Sequence, residues 1–512
     1  MTATRYDRPV EHRTSSMAND YPHLRTVLAL GCIAAIVYFV VVTFRWPMIW
    51  DETVMHYGNF LMAHGMAPYR NIYDMNLPGI YLIDGWQMHL FGPGDLAFRM
   101  YEFFLLGSLL AAMIAIALPY DWLAGLVAGA VFIHYHAGDG PRNAGQRDEI
   151  ITVFVMIGYV LLFQAVRRKQ PALLVPFGIC AGFAMAVKPT VGPWVLVLSI
   201  MGLYVFYKQG EALIRCVLYG LTGLLIPVAI VLHFLLHFRA VAALLDLSAR
   251  QTPYYAGLMK EPVLQLVRNS LSLQMTVAVI MAVVIALVGR EWIKNWERWA
   301  ILLGVAGGFS SYVIQRKGYQ YHIYPFLAFT SLWVCMEFTR AIRSQQWTRW
   351  VGFAGLMFSA LCLIPLCLPI QPTDPSSVAF TRNLEFDLTQ LGGDKLQHRV
   401  QCLDMVDGCL GALYHLNLVQ STGFTGDTLF FVRDHAPAVE YYRGIFLDEI
   451  HKAPPEVFVV SDEWFNWQRG FNKIYNWPAF ADFLNQNYTL SDTRKFNESS
   501  YRIYVLKSPR SS

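Results

Sequence analysis

Apolar residues fill the first 370 positions in blocks that are too long and too continuous for the one-sided stripe of a helix on a soluble surface. A helix needs about 20 such residues to cross a hydrocarbon layer about 30 Å thick, with a usual range of about 17–25. Eleven blocks can be argued on that basis: 26–45, 97–118, 121–137, 149–166, 171–187, 193–207, 216–237, 271–289, 299–314, 323–339 and 350–370. The fifth, sixth and ninth are short. The pattern predicts a polytopic α-helical membrane protein with about 11 transmembrane helices. Composition agrees, with 55% hydrophobic residues, 15% charged and a mean hydropathy of +0.36, far from a soluble average.

An odd number of spans puts the termini on opposite sides, and the positive-inside rule orients the array. The connections carrying Arg167, Arg168 and Lys169, then Lys208 and Arg215, then Arg290, Lys294 and Arg298, then Arg340, Arg343 and Arg349 fall on one face, as do Arg5, Arg8, Arg13 and Arg25. That face is the cytosolic one, and Trp292, Trp296, Trp299, Trp347 and Trp350 mark its interface. Residues 1–25 are a polar cytosolic segment without a cleavable signal, so the first block stays as an anchor. The membrane domain is 26–370, with juxtamembrane helices within 46–96. The outer face receives 46–96, 138–148, 238–270, 315–322 and the segment 371–512.

That last segment is polar, punctuated and of domain length. Strand patterns at 399–403, 456–460 and 501–506, with a helical pattern at 479–485, predict a small, soluble α/β domain. Cys402 and Cys409 lie in it, and their spacing is compatible with a disulfide in an oxidising compartment or with two buried thiols. Five other cysteines (Cys32, Cys180, Cys216, Cys335 and Cys362) sit in apolar blocks as packing residues. The net charge of +4 is small and gives no nucleic-acid footprint.

Candidate chemistry gathers on the outer loops, where charges run against the bias that sets topology. Asp51 and Glu52 follow the first apolar block within a few residues and precede a helical pattern. Asp51 reads either as the N-cap of that helix or as a general base that takes a proton from an acceptor hydroxyl, with Glu52 orienting it. Tyr57, Arg70 and Asp74 follow, and a Pro78-Gly79 turn opens a second amphipathic helix expected to lie flat in the interface. Arg142, Arg147 and Asp148 stand before the fourth block; acids there complement a helix dipole, and guanidinium groups bind phosphate oxygens in pairs. Lys188 sits between two short blocks and reads as a buried functional lysine or as a snorkelling one. Arg316, Lys317 and His322 form a cationic cluster suited to an anionic leaving group or a lipid headgroup. Tyr254 belongs to a long loop that could cover a lipid substrate. His56, His64 and His89 do not form a compact ligand set, and neither metal nor other cofactor is indicated, although the reading leaves room for a divalent ion.

In order and topology these residues resemble the GT-C superfamily of glycosyltransferases that use polyprenyl-phosphate sugars, near the protein mannosyltransferases and the aminoarabinose transferase of lipid A. The resemblance covers about residues 26–340. It rests on Asp51-Glu52 with Tyr57, Pro78-Gly79-x-Tyr81, Asp95-x-x-x-Arg99, Arg147-Asp148, Gly182-Phe183-Ala184-x-Ala186-x-Lys188 and Lys317-Gly318-x-x-x-His322-x-x-Pro325. It implies a bacterial inner-membrane enzyme, with its C-terminal domain in the periplasm, that moves a hexose or pentose with inversion from a polyprenyl-phosphate donor. The acceptor would be an envelope glycan, lipid or protein. Asp51 would be the base, Glu52 and Asp148 supporting acids, and Arg147, Lys188, Arg316, Lys317 and His322 the phosphate binders. Such chemistry requires no cofactor, because the leaving phosphate is already a stable anion.

Two rival readings remain at this level. An O-antigen ligase or polymerase would place its large outer loop late among the helices, whereas here the first loop is substantial and carries the adjacent acids. A lipid-linked-sugar transporter or flippase predicts paired intramembrane charges and inverted repeats, and the sequence contains no internal repeat.

Overall fold

The computed structural model describes residues 22–289, 293–344, 347–364, 370, 375–464 and 468–507. In chain order, the first helices are α1 (Pro22–Thr43), the short α2 (Asp51–Ala63) and α3 (Pro78–Phe91), α4 (Asp95–Ala117), α5 (Trp122–Asp139), α6 (Arg147–Arg167) and α7 (Leu174–Val187). There follow α8 (Gly192–Lys208), α9 (Leu213–His237), α10 (Val241–Gly257), α11 (Val263–Asn269), α12 (Leu273–Val288), α13 (Trp296–Gln315), α14 (Tyr324–Ile342) and α15 (Thr348–Phe358). Helix therefore lies on each of the eleven apolar blocks, the last of which runs partly outside the described residues.

Among the described residues, five helices are long and apolar enough to cross a membrane by themselves: α1, α4, α6, α8 with its leading turn, and α9. The count is six if α11 and α12, bent by 83° at their junction, make one span. The structure thus supports a multi-pass membrane protein without fixing the number of spans. The shortfall has a physical cause. Helix α14 carries Glu337 and Arg340, yet it is buried on nearly every side because α5, α12, α13 and α15 surround it. Its charges are paired with each other and with Arg298, so apolarity along one helix is a poor guide to a helix held inside a bundle.

One end of the bundle brings together Arg25, Arg167 and Arg343, three of the basic residues assigned to the cytosolic side. Asp121 at the N-cap of α5 takes Arg25 of α1 at 2.7 Å and Arg343 after α14 at 3.1 Å, while Arg167 of α6 pairs with Glu297 of α13. These pairs tie the starts of α1, α5 and α13 to the ends of α6 and α14.

At the other end, α2 and α3 lie between the membrane helices and the C-terminal segment, with α3 packed on α4 and α7. Helix α3 leaves Trp86, Leu90 and Phe91 exposed, as suits a helix resting in an interface. It starts at Pro78, whose fixed φ suits the first helical position. Gly79 beside it meets the Ala186 and Val187 backbone so closely that a Cβ would collide with it. The Pro-Gly pair is therefore a docking point of α3 on the end of α7.

The C-terminal segment is a small α/β unit. Helix α16 (Pro375–Leu391) leads into β1 (Val400–Leu403), followed by α17 (Cys409–His415), α18 (Pro437–Lys452), β2 (Val457–Ser461), the hairpin strands β3 (Glu463–Trp464) and β4 (Gln468–Arg469), α19 (Pro478–Asn487), β5 (Tyr488–Lys495) and β6 (Ser500–Leu506). The main sheet has the order β1-β2-β6-β5, with β1 parallel to β2 and the other pairs antiparallel. Strands β1 and β2 are fully buried, which suits the Val-rich sequence of β2. Strand β5 is an exposed, polar edge and gave no strand signal in the sequence. Of the two possibilities for Cys402 and Cys409, the structure takes the disulfide, with the Cα atoms 5.9 Å apart. The bond closes a loop in which the Asp404 carboxylate accepts from the backbone N–H groups of Asp407, Gly408 and Cys409 at 3.2, 3.0 and 2.9 Å.

This unit is seated directly on the membrane domain. Tyr57 of α2 is fully buried, donates its hydroxyl to Leu418 O at 2.9 Å and accepts from Gln420 N at 2.9 Å. Tyr73 N donates to Gly423 O at 3.0 Å, and a Cβ on Gly423 would strike the Asn71 carbonyl. His415 stands 3.8 Å from Asp95 at the start of α4 and 2.6 Å from Glu385 of α16.

The nearby carboxylates of Asp95 and Glu385 raise the His415 imidazole to about 9. Because the folded-state value lies above the unfolded one of about 6.5, its stabilising charge is fully present below about pH 6.5 and is lost as pH rises through about 9. The expected result is that His415→Gln lowers the unfolding temperature at pH 6, and that the difference from wild type vanishes above pH 9. A difference independent of pH between 6 and 10 would show that the imidazole acts by packing alone.

Candidate active site

The site begins with a backbone that turns against its own preference. Trp50 has φ 63°, a left-handed value costly for a bulky side chain, and it occupies the N-cap of α2. Asp51 is consequently the first helical residue and not the cap expected from its sequence position. Its carboxylate is left free to serve other partners. The Arg147 guanidinium lies 3.5 Å from Asp51 Oδ2, and the Tyr321 hydroxyl donates to the same oxygen at 3.2 Å. One third of the Asp51 side chain remains exposed, on the cleft side.

Arg147 is itself held. It opens α6 and donates to the Asn76 side-chain carbonyl, while the Asn76 amide donates to Asp74 at 2.8 and 3.0 Å. Asp74 also takes the Tyr81 hydroxyl, and Tyr69 donates to Asn76 O at 2.7 Å. The turn 73–76 is thereby a rigid bracket between α3 and α6, and its purpose within the site is to aim one guanidinium at Asp51.

Around this pair opens a cleft, continuous with solvent, with about 180 Å³ of accessible space. Its floor is Trp50, Asp51, Asp74, Asn76 and Arg147; one wall is Gln251 and Tyr255 of α10 with Tyr319 and Tyr321. The C-terminal unit supplies the roof through Met405, Val406, Thr425, Thr428 and Tyr442. Arg147 is the one cation among the described residues lining it.

Asp148, adjacent in sequence, is fully buried and forms a second group. Lys188 donates to Asp148 Oδ2, and His322 Nε2 lies 3.8 Å from that oxygen. Burial lowers the Lys188 ammonium to about 8. Burial, then the positive charges of Lys188, Arg147 and Lys317, push His322 well below the ordinary imidazole value, so at neutral pH it is an uncharged ring. Asp148, Lys188 and His322 thus make a nearly neutral buried support beneath Arg147, and none of them lines the cleft.

The remaining residues singled out in the sequence are spoken for elsewhere. Lys317 donates to Tyr255 O at 2.7 Å and to Leu258 O, which caps the end of α10, and burial lowers it to about 8. Arg316 has a left-handed φ of 53° at the end of α13 and donates to Glu261 O at 3.1 and 3.2 Å. Both cations therefore staple the loop after α10 to the 315–322 segment. Arg142 lies 4.5 Å over the Trp50 ring and 3.7 Å from Glu498. Arg70 donates to Phe238 O at 3.3 Å on the surface, and Tyr254 donates to Asp434 at 2.6 Å, bridging α10 to the C-terminal unit. Tyr57 is a docking residue for that unit, as described above. Glu52 is buried and turned away from Asp51 toward α3.

Sequence reading passed over Tyr255, Tyr319, Tyr321 and the roof residues. Tyr319 and Tyr321 belong to the cationic and aromatic cluster and Tyr255 to the long outer loop beside Tyr254, whereas the roof gave no signal.

Among solved structures the fold has counterparts. The chain is similar to ArnT of Cupriavidus metallidurans bound to undecaprenyl phosphate, with a TM-score of 0.56 at 10% identity over 93% of this chain and 98% of that one. The apo form of ArnT gives a TM-score of 0.57 at 9% identity over 94% and 98% of the two chains. The chain has the fold of these ArnT structures. A third GT-C structure, the oligosaccharyltransferase of Archaeoglobus fulgidus tethered to an acceptor peptide containing the NVT sequon, gives a TM-score of 0.51 at 10% identity over 97% of this chain and 76% of that one. No protein-family profile matches the sequence, and no curated protein matches it either.

Proposed function

We propose that this protein is a membrane glycosyltransferase that moves a monosaccharide from a polyprenyl-phosphate donor to an envelope lipid, glycan or protein acceptor on the outer face. In this reading the chain spans a bacterial inner membrane with its N-terminus in the cytosol and its C-terminal unit in the periplasm. The observation that carries the reading is the Asp51–Arg147 pair at the floor of a cleft, within a GT-C fold.

The pair has the two groups that the reaction needs. Asp51 takes the proton of the acceptor hydroxyl as that oxygen attacks the anomeric carbon, and the bond from that carbon to the phosphate oxygen breaks on the opposite side, giving inversion. The polyprenyl phosphate leaves with the bonding electrons, and Arg147 shares its two-pronged donor set with the developing phosphate charge. Tyr321 keeps the base oriented, and the bracket of Asp74 and Asn76 keeps the guanidinium from collapsing fully onto Asp51. The aromatic wall suits a sugar ring, whose C–H faces pack on such side chains. ArnT with undecaprenyl phosphate supports a lipid-phosphate donor, and the oligosaccharyltransferase with its peptide leaves protein among the acceptors. The roof from the C-terminal unit makes acceptor selection its natural role.

The test is transfer by the purified chain in proteoliposomes, from a pool of polyprenyl-phosphate sugars to envelope lipid and glycan extracts, read by mass analysis. The expected product is an acceptor heavier by one hexose or pentose. An absence of transfer from every donor in the pool, with the protein folded, would overturn the reading.

A further inference from the structure

Behind Asp51, on the face of α2 turned away from the cleft, lies a polar cluster that the transfer reaction does not use. Glu52 and His56 are one turn apart on α2 and so share a face, and Asp84 approaches them from α3. Their exposures are 2%, 0% and 0%. One donor atom from each lies within 4.8 Å of those of the other two. Among the described residues, five of their polar atoms have no hydrogen-bond partner: Glu52 Oε2, both His56 ring nitrogens and both Asp84 oxygens. Gln87, one turn beyond Asp84 on α3, and Tyr101 of α4 also bury polar atoms without partners. Buried polar side chains are almost always bonded, so such a concentration points to something that binds them all at once.

A second buried cluster differs in having a cation and a fully bonded imidazole. Glu102, His136 and Glu149 are just as close together. There, however, His136 is bonded through one nitrogen to Glu102 at 2.6 Å and through the other to Tyr324 at 3.0 Å, Arg99 pairs with Glu102, and Glu149 accepts from Gly145 N at 2.9 Å. In that cluster an arginine pairs with one carboxylate and the imidazole is bonded through both of its nitrogens. Around Glu52, His56 and Asp84 no cation makes a hydrogen bond or ion pair among the described residues, and the rings of Phe98 and Tyr414 stand edge-on to His56 at 5.6 and 6.3 Å.

We infer that Glu52, His56 and Asp84 bind a divalent cation of the zinc class between α2 and α3. One imidazole and two carboxylates form a donor set that Zn²⁺ accepts at about 2.0–2.2 Å from each ligand atom, and they leave a position for water or a neighbouring side chain. The charges of two carboxylates and the ion cancel, which removes the cost of burying either alone. The ion cross-links the first turn of α2 to α3 and so fixes the residue before Glu52, which is Asp51. This assignment does not depend on the transfer reaction.

The test uses the full chain, purified without an affinity tag, stripped with EDTA and dialysed against Zn²⁺, with bound metal measured by mass spectrometry. Wild type is expected to retain one Zn²⁺ per chain and to unfold at a higher temperature with the ion than without it. His56→Gln and Asp84→Asn are each expected to lose the ion and the temperature shift, while Asp74→Asn in the cleft keeps both. Failure of wild type to retain the ion overturns the proposal, and so does undiminished retention in His56→Gln and Asp84→Asn or loss confined to Asp74→Asn. Should the two variants fail to fold, Co²⁺ in wild type provides the decision: magnetic coupling to one imidazole nitrogen supports the site, and its absence overturns it.

Discussion

Asp51→Asn is expected to lower the rate of sugar transfer by about 10²–10⁴, the usual contribution of a positioned general base. The substitution keeps the shape of the side chain and one carbonyl oxygen for the Tyr321 hydroxyl, which stands 3.2 Å from Asp51 Oδ2. It removes only the ability to accept a proton and the negative charge facing Arg147. Because Asp51 is the first residue of α2 and makes no side-chain cap, the helix should form equally well, and unfolding temperature should change little. The loss should fall on kcat, since the acceptor hydroxyl is bound before its proton moves. Donor binding could even tighten, as Arg147 is released from its partner. Full turnover by a folded Asp51→Asn would remove Asp51 as the base and leave its pairing with Arg147 as a purely structural feature. Asp51→Glu separates position from chemistry: it restores a carboxylate one methylene too far out, and a partial recovery is expected, because effective catalysis depends on placement at the ångström level.

The legible part of this protein was its long apolar blocks. A helix that must satisfy its backbone inside lipid reads as an uninterrupted apolar run, and α1, α4, α6 and α9 fall on such runs almost residue for residue. What the runs hid was the polar interior of the bundle. Arg99, Glu102 and His136 lie inside apolar blocks and are completely buried; Arg99 and Glu102 pair one turn apart on α4, but the His136 that joins them comes from α5, which no spacing along the chain announces. The same limit governed the site. Asp51 and Arg147 were recognisable because each sits at a helix start next to an apolar block. The partners of Lys317 and Arg316 are backbone carbonyls 55 to 62 residues away, and no pattern of residue types announces a carbonyl. The sequence offers that cation-rich loop as a phosphate cradle, and in the structure its Arg316 and Lys317 hold the neighbouring loop through backbone carbonyls. The N-cap assignment for Asp51 failed for a local reason: the left-handed turn at Trp50 moves the cap one position upstream, and nothing about a tryptophan suggests that conformation. The roof of the cleft belongs to loops of the C-terminal unit, placed there by Tyr57, Tyr73 and His415, three contacts of very long range in sequence.

Arg147→Lys is expected to cost transfer about 10²–10³, corresponding to about 2.7–4 kcal/mol of lost stabilisation as the phosphate leaves. Charge is kept in this substitution, so a large loss would report on geometry. The guanidinium spans Asn76 and Asp51 at once, and a third face can meet phosphate oxygens, whereas an ammonium on a flexible stem can hold only one such direction firmly. Two readouts separate this role from a structural one. The KM for the polyprenyl-phosphate sugar should rise along with the fall in kcat, because the phosphate is present in both ground and transition states. A double variant, Asp51→Asn with Arg147→Lys, should lose less than the product of the single losses, since the two side chains lie 3.5 Å apart and act on the same bond exchange. Strict multiplicativity of the two losses would mean that base and phosphate binder work independently. An Arg147→Lys enzyme with wild-type kcat and donor KM would exclude the guanidinium from leaving-group stabilisation altogether, and would assign Arg147 only to holding the turn 73–76 against α6.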